Sequence, residues 1–298
     1  MILVAGATGT LGMEVCRRLR TRGLAVRALV RETADPERLD ALRAAGAELC
    51  WGDLKDAESL RRACSEVGAV ISTASSTFSR QGGDSIETVD RLGQLSLVSA
   101  ARAAGVAHFT FVSIPRERLR ESPLTRAKSE VERAVAESGM GYTILTAGYF
   151  MEIWLSPAVG FDFAQGRVAI FGDGRAPISW VSYRDVAEFA VRAHLTPGAR
   201  NRILDIAGPQ ALSPLEVVEI FENIEGAPFE KHFVSEESLN KELAGVTDPM
   251  AETFAKLQLE YAHGCVIDVS EALRLMPMEL ATVKQYAASV CGHTVMKG

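Results

Sequence analysis

The segment Gly6-Ala7-Thr8-Gly9-Thr10-Leu11-Gly12 constrains this chain most, because of what flanks it. An apolar run at residues 1–5, short enough for a buried strand, precedes it, and a helix-forming stretch at residues 13–22 follows. Glycines at such a turn let the backbone bend tightly and approach a pyrophosphate. The helix N-terminus beyond offers free N–H groups and the positive end of a dipole. The pattern predicts a dinucleotide held by Gly6, Thr8, Gly9, Thr10, Leu11 and Gly12. The spacing is G-x-x-G-x-x-G, not the more familiar G-x-G-x-x-G, and glycines alone also suit a structural turn. Context favours the dinucleotide: the turn opens an alternating chain, and the next strand ends in a charged residue about twenty positions on.

Apolar runs at residues 2–5, 25–30, 47–50, 69–72, 109–113 and 142–146 alternate with stretches at helical spacing. Leu39 and Leu42 follow Asp35-Pro36, and Val131 and Val135 follow Ser122-Pro123. Asp35 reads as a helix N-cap with Pro36 in the first turn. Near-continuous apolar strands alternating with helices imply a parallel sheet covered on both faces, with right-handed crossovers. The expected fold is a doubly wound α/β sheet.

The pattern changes after Phe150. Residues 151–180 are rich in aromatics, glycine and proline, with one strand-like run at 168–171. Ser182-Tyr183-Arg184-Asp185 reads as a capping box, residues 201–207 as a further strand, and Ser213-Pro214-Leu215-Glu216 as a second capping box. Beyond it the spacing is mostly helical to about residue 290. The expected organisation is a dinucleotide-binding domain at 1–150 plus about 182–206. A smaller, discontinuous, mostly helical lobe at about 151–181 plus 207–298 closes over the C-terminal ends of the strands. Ligands bind there in open α/β sheets.

Bulk properties narrow the classes. The net charge of −6 argues against a broad nucleic-acid footprint, and Arg17, Arg18, Arg20 and Arg22 read as a solvated helix face. No apolar run approaches the ~20 residues of a membrane span. Five cysteines form no C-x-x-C pair, and Cys16, Cys50 and Cys64 read as small core residues. With no signal-peptide pattern, they suggest the reducing cytoplasm. The five histidines show no H-x-x-x-H or H-E-x-x-H spacing, so no metal site is expected.

The second strand ends in Val30-Arg31. An NAD site usually places a carboxylate here to accept from the ribose 2′-hydroxyl. An arginine instead attracts a 2′-phosphate. Arg31, with Arg27 earlier on the same strand face, therefore predicts NADP(H). In Gly52-Asp53-Leu54, Asp53 suits either the adenine amino group or a turn, with Leu54 packing on the ring. Thr73 and Ala74, after the fourth strand, are small enough to let a ligand pass.

Further motifs are His108-Phe109-Thr110-Phe111-Val112-Ser113, Lys128-Ser129-Glu130-Val131-Glu132, the run from Tyr142 to Glu152, and Val181-Ser182-Tyr183-Arg184-Asp185-Val186-Ala187. Together with the glycine turn, Val30-Arg31 and Gly52-Asp53-Leu54, they make the chain resemble the NmrA-like, atypical short-chain dehydrogenase/reductase family over about residues 1–206. The resemblance implies a Rossmann-type fold and NADP(H) binding. It admits both NAD(P)H-dependent reductases and regulators that bind the dinucleotide without turnover. Two departures stand out. The Tyr-x-x-x-Lys tyrosine of typical short-chain dehydrogenases is Leu124 here, and Thr146-Ala147-Gly148 replaces an Arg-Pro-Gly common in relatives.

By that resemblance Lys128 is placed at the nicotinamide ribose and is the candidate catalytic cation, with Ser113 at a strand end touching nicotinamide or substrate. Gly148, Tyr149 and Phe150 wall the nicotinamide, and Tyr149 is a weaker candidate proton donor. Phe78, Tyr149, Trp154, Phe161, Phe163 and Trp180 are candidate pocket aromatics, while His108 reads as packing. The expected function is NADPH-dependent reduction of a small, largely apolar carbonyl, enone, imine or quinone in a cleft between the lobes. The alternative is a non-catalytic NADP(H)-sensing regulator.

Overall fold

The computed structural model describes residues 1–77, 81–115 and 119–291. Phe78, one of the candidate pocket aromatics, lies outside them. Six strands, β1 (Ile2–Ala5), β2 (Val26–Val30), β3 (Glu48–Trp51), β4 (Ala69–Ser72), β5 (His108–Ser113) and β6 (Gly141–Ala147), join the strand Arg202–Ile206 in one sheet. The order is β3-β2-β1-β4-β5-β6 followed by Arg202–Ile206, and every pairing is parallel. The chain leaves β1 in one direction and β4 in the other, which opens a crevice between them at their C-terminal ends.

Helices cover both faces because the strands are apolar on both. Helices α1 (Thr10–Thr21) and α2 (Pro36–Ala44) lie with helix Tyr183–Leu195 on one side, where Val15, Leu19, Leu42, Leu145 and Phe189 pack together. On the other side α3 (Ala57–Cys64), α4 (Gln94–Ala103) and α5 (Pro123–Glu137) bury Leu60, Leu97, Phe109, Phe111 and Val131. Asp35 caps α2 as expected, its carboxylate accepting from the Glu37 N–H. Arg18 departs from expectation in being half-buried, and it and the exposed Arg22 both reach Glu188 of helix Tyr183–Leu195 at 2.6 Å and tie the two helices. Cys16 and Cys64 are buried, and burial raises their thiols to about 12 and about 11. Cys50, on the edge strand β3, is only half-buried.

A second core forms around Trp180, Phe221, Leu259 and Tyr261. Its helices include Pro214–Glu225, whose Ser213–Glu216 capping box is present, and Pro249–His263. It also holds two three-stranded sheets. One pairs Ala211–Leu212, Ile178–Val181 and Tyr149–Phe150, and the other Glu230–Val234, Arg167–Phe171 and Phe161–Asp162. Hydrophobic period signals only one of these strands, because several have two residues and Glu230–Val234 is a largely exposed polar edge. The Ser182 box is half-made. Ser182 accepts from the Arg184 N–H, but Asp185 turns away to accept from the Ala281 N–H. Ala272 and Met276, from the C-terminal segment, join the α1-side core of the main sheet instead of the second core. Among the described residues no helix is long and apolar enough to cross a membrane.

His108, at the start of β5, is buried against Thr143 and stacks on His194 at 5.9 Å. Burial, with His194 and Arg200 nearby, depresses its pKa from 6.5 to about 4. The folded state therefore binds this proton less readily than the unfolded chain. Stability contributed by neutral His108 is intact above pH 6.5 and declines as pH falls towards 4. The unfolding free energy of wild type relative to His108→Asn should accordingly drop over that window, by about 2 kcal/mol after solvent screening. Urea titrations across pH measure it, and a pH-independent difference would refute it.

Candidate functional site

The crevice opens into a cleft of about 760 Å³ that runs from the ends of β2 and β3, past β1 and β4, to β5, β6 and the second core. That volume is typical of small-molecule and cofactor sites.

At its centre lies the glycine turn. Gly6 has φ +80°, and its carbonyl accepts from the Gly9 N–H at 2.9 Å. A Cβ on Gly12 would stand 2.1 Å from the Gly6 oxygen, and one on Gly6 would stand 2.7 Å from the Ala74 nitrogen. The three segments touch backbone to backbone, so side chains are excluded. Gly9 caps α1 without a side-chain hydrogen bond, and the first turn of α1 carries no acidic residue. The leading amides of α1 are thus left for an anion, and Thr8, Gly9, Thr10, Leu11 and Gly12 line the cleft there. Such a cradle fits the pyrophosphate of a dinucleotide.

At one end of the cleft stands Arg31, directly after β2. Its guanidinium donates to the Asp84 carboxylate at 2.6 Å. Lys55 also donates to Asp84, and its ammonium is 3.6 Å from Asp53. Asp53 accepts from the Lys55 N–H at 2.8 Å, so it makes a local turn while still lining the cleft beside the buried Leu54. Arg27 is not here. It donates to Glu48 and to the Ala63 and Ser65 carbonyls. Four residues along a strand span about 13 Å, so sharing a face does not mean sharing an end. Arg38, which sequence reasoning missed, lines the cleft and donates to the Thr8 carbonyl at 2.8 Å. Its position in the first turn of α2 was the available signal.

Thr73 and Ala74 form the central floor, with the Thr73 hydroxyl donating to the Ala5 carbonyl. Behind them Gln94 donates to the Ala74 carbonyl at 2.9 Å and accepts from Ser72, which fixes the turn after β4.

At the other end Lys128 lines the cleft from α5 with 5% exposure. Its ammonium donates to the Val112 carbonyl at 3.4 Å, stands 3.7 Å from Asp90 and lies 4.9 Å from the Phe111 ring centre. Burial lowers its pKa, and Asp90 and Glu132 oppose that shift. Asp90 is carried on a π-helical stretch, Ile86–Gly93, whose wider turn seats this carboxylate in the interior. Ser76 donates to it through both N–H and hydroxyl. Glu132, one turn after Lys128, accepts from the Ser113 hydroxyl. Asp90 and Glu132 were both missed: a lone carboxylate in a helical pattern reads as surface, and only the fold turns these two inward.

Gly148 crosses under Ile267, which a Cβ would meet at 2.8 Å. Tyr149, Phe150 and Trp154 line the cleft with Glu152, Ile153 and Leu257. The Tyr149 ring packs on Trp154 at 4.8 Å and its hydroxyl donates to the Leu257 carbonyl at 3.0 Å. Burial holds that phenol well above its ordinary pKa, and its proton is engaged by the Leu257 carbonyl, an arrangement that suits a wall. Tyr149→Phe should keep turnover within about threefold while losing about 1 kcal/mol of stability; a kcat collapse in steady-state assays would reverse this assignment. Phe161, Phe163 and Trp180 are corrections. Phe161 and Phe163 pack on Phe221 at 4.9 and 5.7 Å, and Trp180 is buried in the second core, so none of the three lines the cleft.

The model of the NmrA-like family matches residues 1–287. The chain belongs to the NmrA-like family. This NmrA-like chain is 31% identical to an NAD(P)H azoreductase of Xenophilus azovorans, over 89% of its length and 90% of the relative's. It is 32% identical to the photosystem II assembly factor Ycf39 of Cyanophora paradoxa, over 76% of its length and 68% of that protein's. Its fold is similar to that of an NADPH-dependent quinone oxidoreductase of Escherichia coli crystallised with NADPH. The TM-score is 0.78 at 23% identity, covering 98% of this chain and all of that one.

Proposed function

We propose that this chain is an NADPH-dependent reductase of small, largely apolar carbonyl, enone, imine or quinone substrates. The observation that carries the reading is one continuous cleft with three chemistries in order. Arg31 stands at one end, the side-chain-free amide cradle in the middle, and buried Lys128 beside apolar walls at the other. The related azoreductase points the same way.

The nicotinamide, when bound, supplies the hydride. Lys128 donates a hydrogen bond at the ribose and stabilises negative charge developing on the substrate's acceptor atom. Ser113, its proton committed to Glu132, presents an acceptor beside it. Phe150, Ile153, Trp154 and Leu257 exclude water and favour an apolar substrate. Purified protein given NADPH and a panel of quinones, enones and cyclic imines should consume NADPH. Tight binding without turnover across the panel would displace the reading.

A second reading, a dinucleotide-sensing regulator, is favoured by Leu124 at the position of the usual tyrosine and by the related assembly factor. A pull-down whose partner depends on NADP+ against NADPH would support it.

Arg31→Asp should weaken NADPH by about 10- to 100-fold, the worth of a charge-assisted hydrogen bond, and leave NADH nearly unchanged. Calorimetric titration of both cofactors measures it, and equal losses would remove Arg31 from the phosphate site.

A further inference from the structure

Asp84 lines the Arg31 end of the cleft. Its side chain is only 3% exposed, and one carboxylate oxygen accepts from Arg31 while the other accepts from Lys55. A second tie runs beside it. Thr33 donates to the Gln81 side chain at 2.6 Å, and Gln81 donates back to the Thr33 carbonyl at 3.3 Å. The segment 81–84 is thereby clasped to the end of β2, and Arg31 and Lys55 are already paired with a carboxylate, while Arg38 donates to the Thr8 carbonyl.

A ribose 2′-phosphate carries about two negative charges and needs those same cations. It cannot share them with a carboxylate at hydrogen-bond distance without like-charge repulsion. A ribose 2′-hydroxyl has the opposite requirement, since it donates to a carboxylate, the role that Asp or Glu plays in NAD sites. Here such a carboxylate is present, but it arrives from the segment before the π-helical stretch and not from the end of β2.

We propose that Asp84 is the selectivity-setting residue of the cofactor site, competing with the 2′-phosphate for Arg31 and Lys55 and accepting from the 2′-hydroxyl when no phosphate is present. The proposal rests on the NADP(H) reading above. Admitting NADPH means opening the Arg31–Asp84 pair, so part of the phosphate's attraction is offset by the pair it breaks. NADH leaves the pair closed. The chain therefore discriminates between the two cofactors less than an unopposed arginine would.

Calorimetric titrations of wild type, Asp84→Asn and Asp84→Asn/Arg31→Ala with NADPH and NADH test this. Asp84→Asn should tighten NADPH by about tenfold and weaken NADH by a few-fold. The gain should shrink in the double variant, because Lys55 is then the one cation that the substitution of Asp84 frees. Asp84→Ser, which removes the charge with a smaller side chain, serves if the asparagine variant folds poorly. Weaker NADPH binding in the single variants would mean that Asp84 orients Arg31, and would overturn the proposal. Equal shifts for both cofactors would overturn it too. Wild type that binds neither cofactor would instead sink the underlying reading, and this inference with it.

Discussion

Lys128→Met should lower kcat by about 10²- to 10³-fold, the usual loss when one donor to a developing negative charge is removed. Methionine keeps the length and apolar stem of lysine, so the α5 packing survives, but the ammonium beside Val112 and Asp90 is gone. NADPH affinity should fall by a few-fold only, because the pyrophosphate cradle and Arg31 lie elsewhere in the cleft. A kcat-dominated loss separates this role from simple cofactor binding.

The same variant should also cost stability. Asp90 and Glu132 are buried, at 0% and 3% exposure, and Lys128 is the cation between them. Removing one partner of a buried ion pair typically costs about 3–5 kcal/mol. Thermal unfolding should be run first, and kcat measured well below the midpoint. The wild-type pH profile provides an independent check. Burial depresses Lys128 below its ordinary 10.5, so activity that needs the ammonium is full at low pH. It declines as pH rises through that lowered pKa, and this alkaline limb should be missing from the residual activity of Lys128→Met. Unchanged kcat in a folded Lys128→Met would remove Lys128 from the chemistry.

Lys128 also illustrates what could be read before the fold was seen. Strands, crossovers and the glycine turn were legible because each rests on local physics: apolar runs of strand length, caps such as Asp35-Pro36, and an α1 start without a side-chain cap. Arg31 was legible for the same reason, standing at a strand end about twenty residues on. Its partner was not. Asp84 is 53 residues away in sequence, and nothing around it announces that it turns back onto β2. Asp90 was hidden by its π-helical setting, since the wider turn breaks the period that assigns residues to faces. Arg27 misled because alternation tells which face a side chain takes, not which end of the strand it serves. Phe161 misled because an aromatic signals burial of some kind without saying where, and here it is the second core that takes it.

Gly12→Ala should disable the cradle by a methyl group alone. The added methyl would stand 2.1 Å from the Gly6 oxygen and 2.7 Å from its carbonyl carbon. Both are backbone atoms, so no rotamer relieves the contact, and α1 must move away from the turn after β1. Val15, Cys16 and Leu19 anchor α1 in the core, so the shift meets resistance, at a cost of about 3 kcal/mol. The leading amides then no longer converge. Losing two charge-assisted bonds to a pyrophosphate should weaken binding by at least about 100-fold. The loss should be the same for NADPH and NADH, because both carry the diphosphate, and this separates Gly12→Ala from Arg31→Asp. Gly9→Ala is the control. Its methyl would stand 3.2 Å from the same oxygen, a contact that a few tenths of an ångström relieve, so binding should fall only a few-fold. If a folded Gly12→Ala bound both cofactors like wild type, the diphosphate could not rest on this turn, and Arg31 would lose its reason to meet a phosphate.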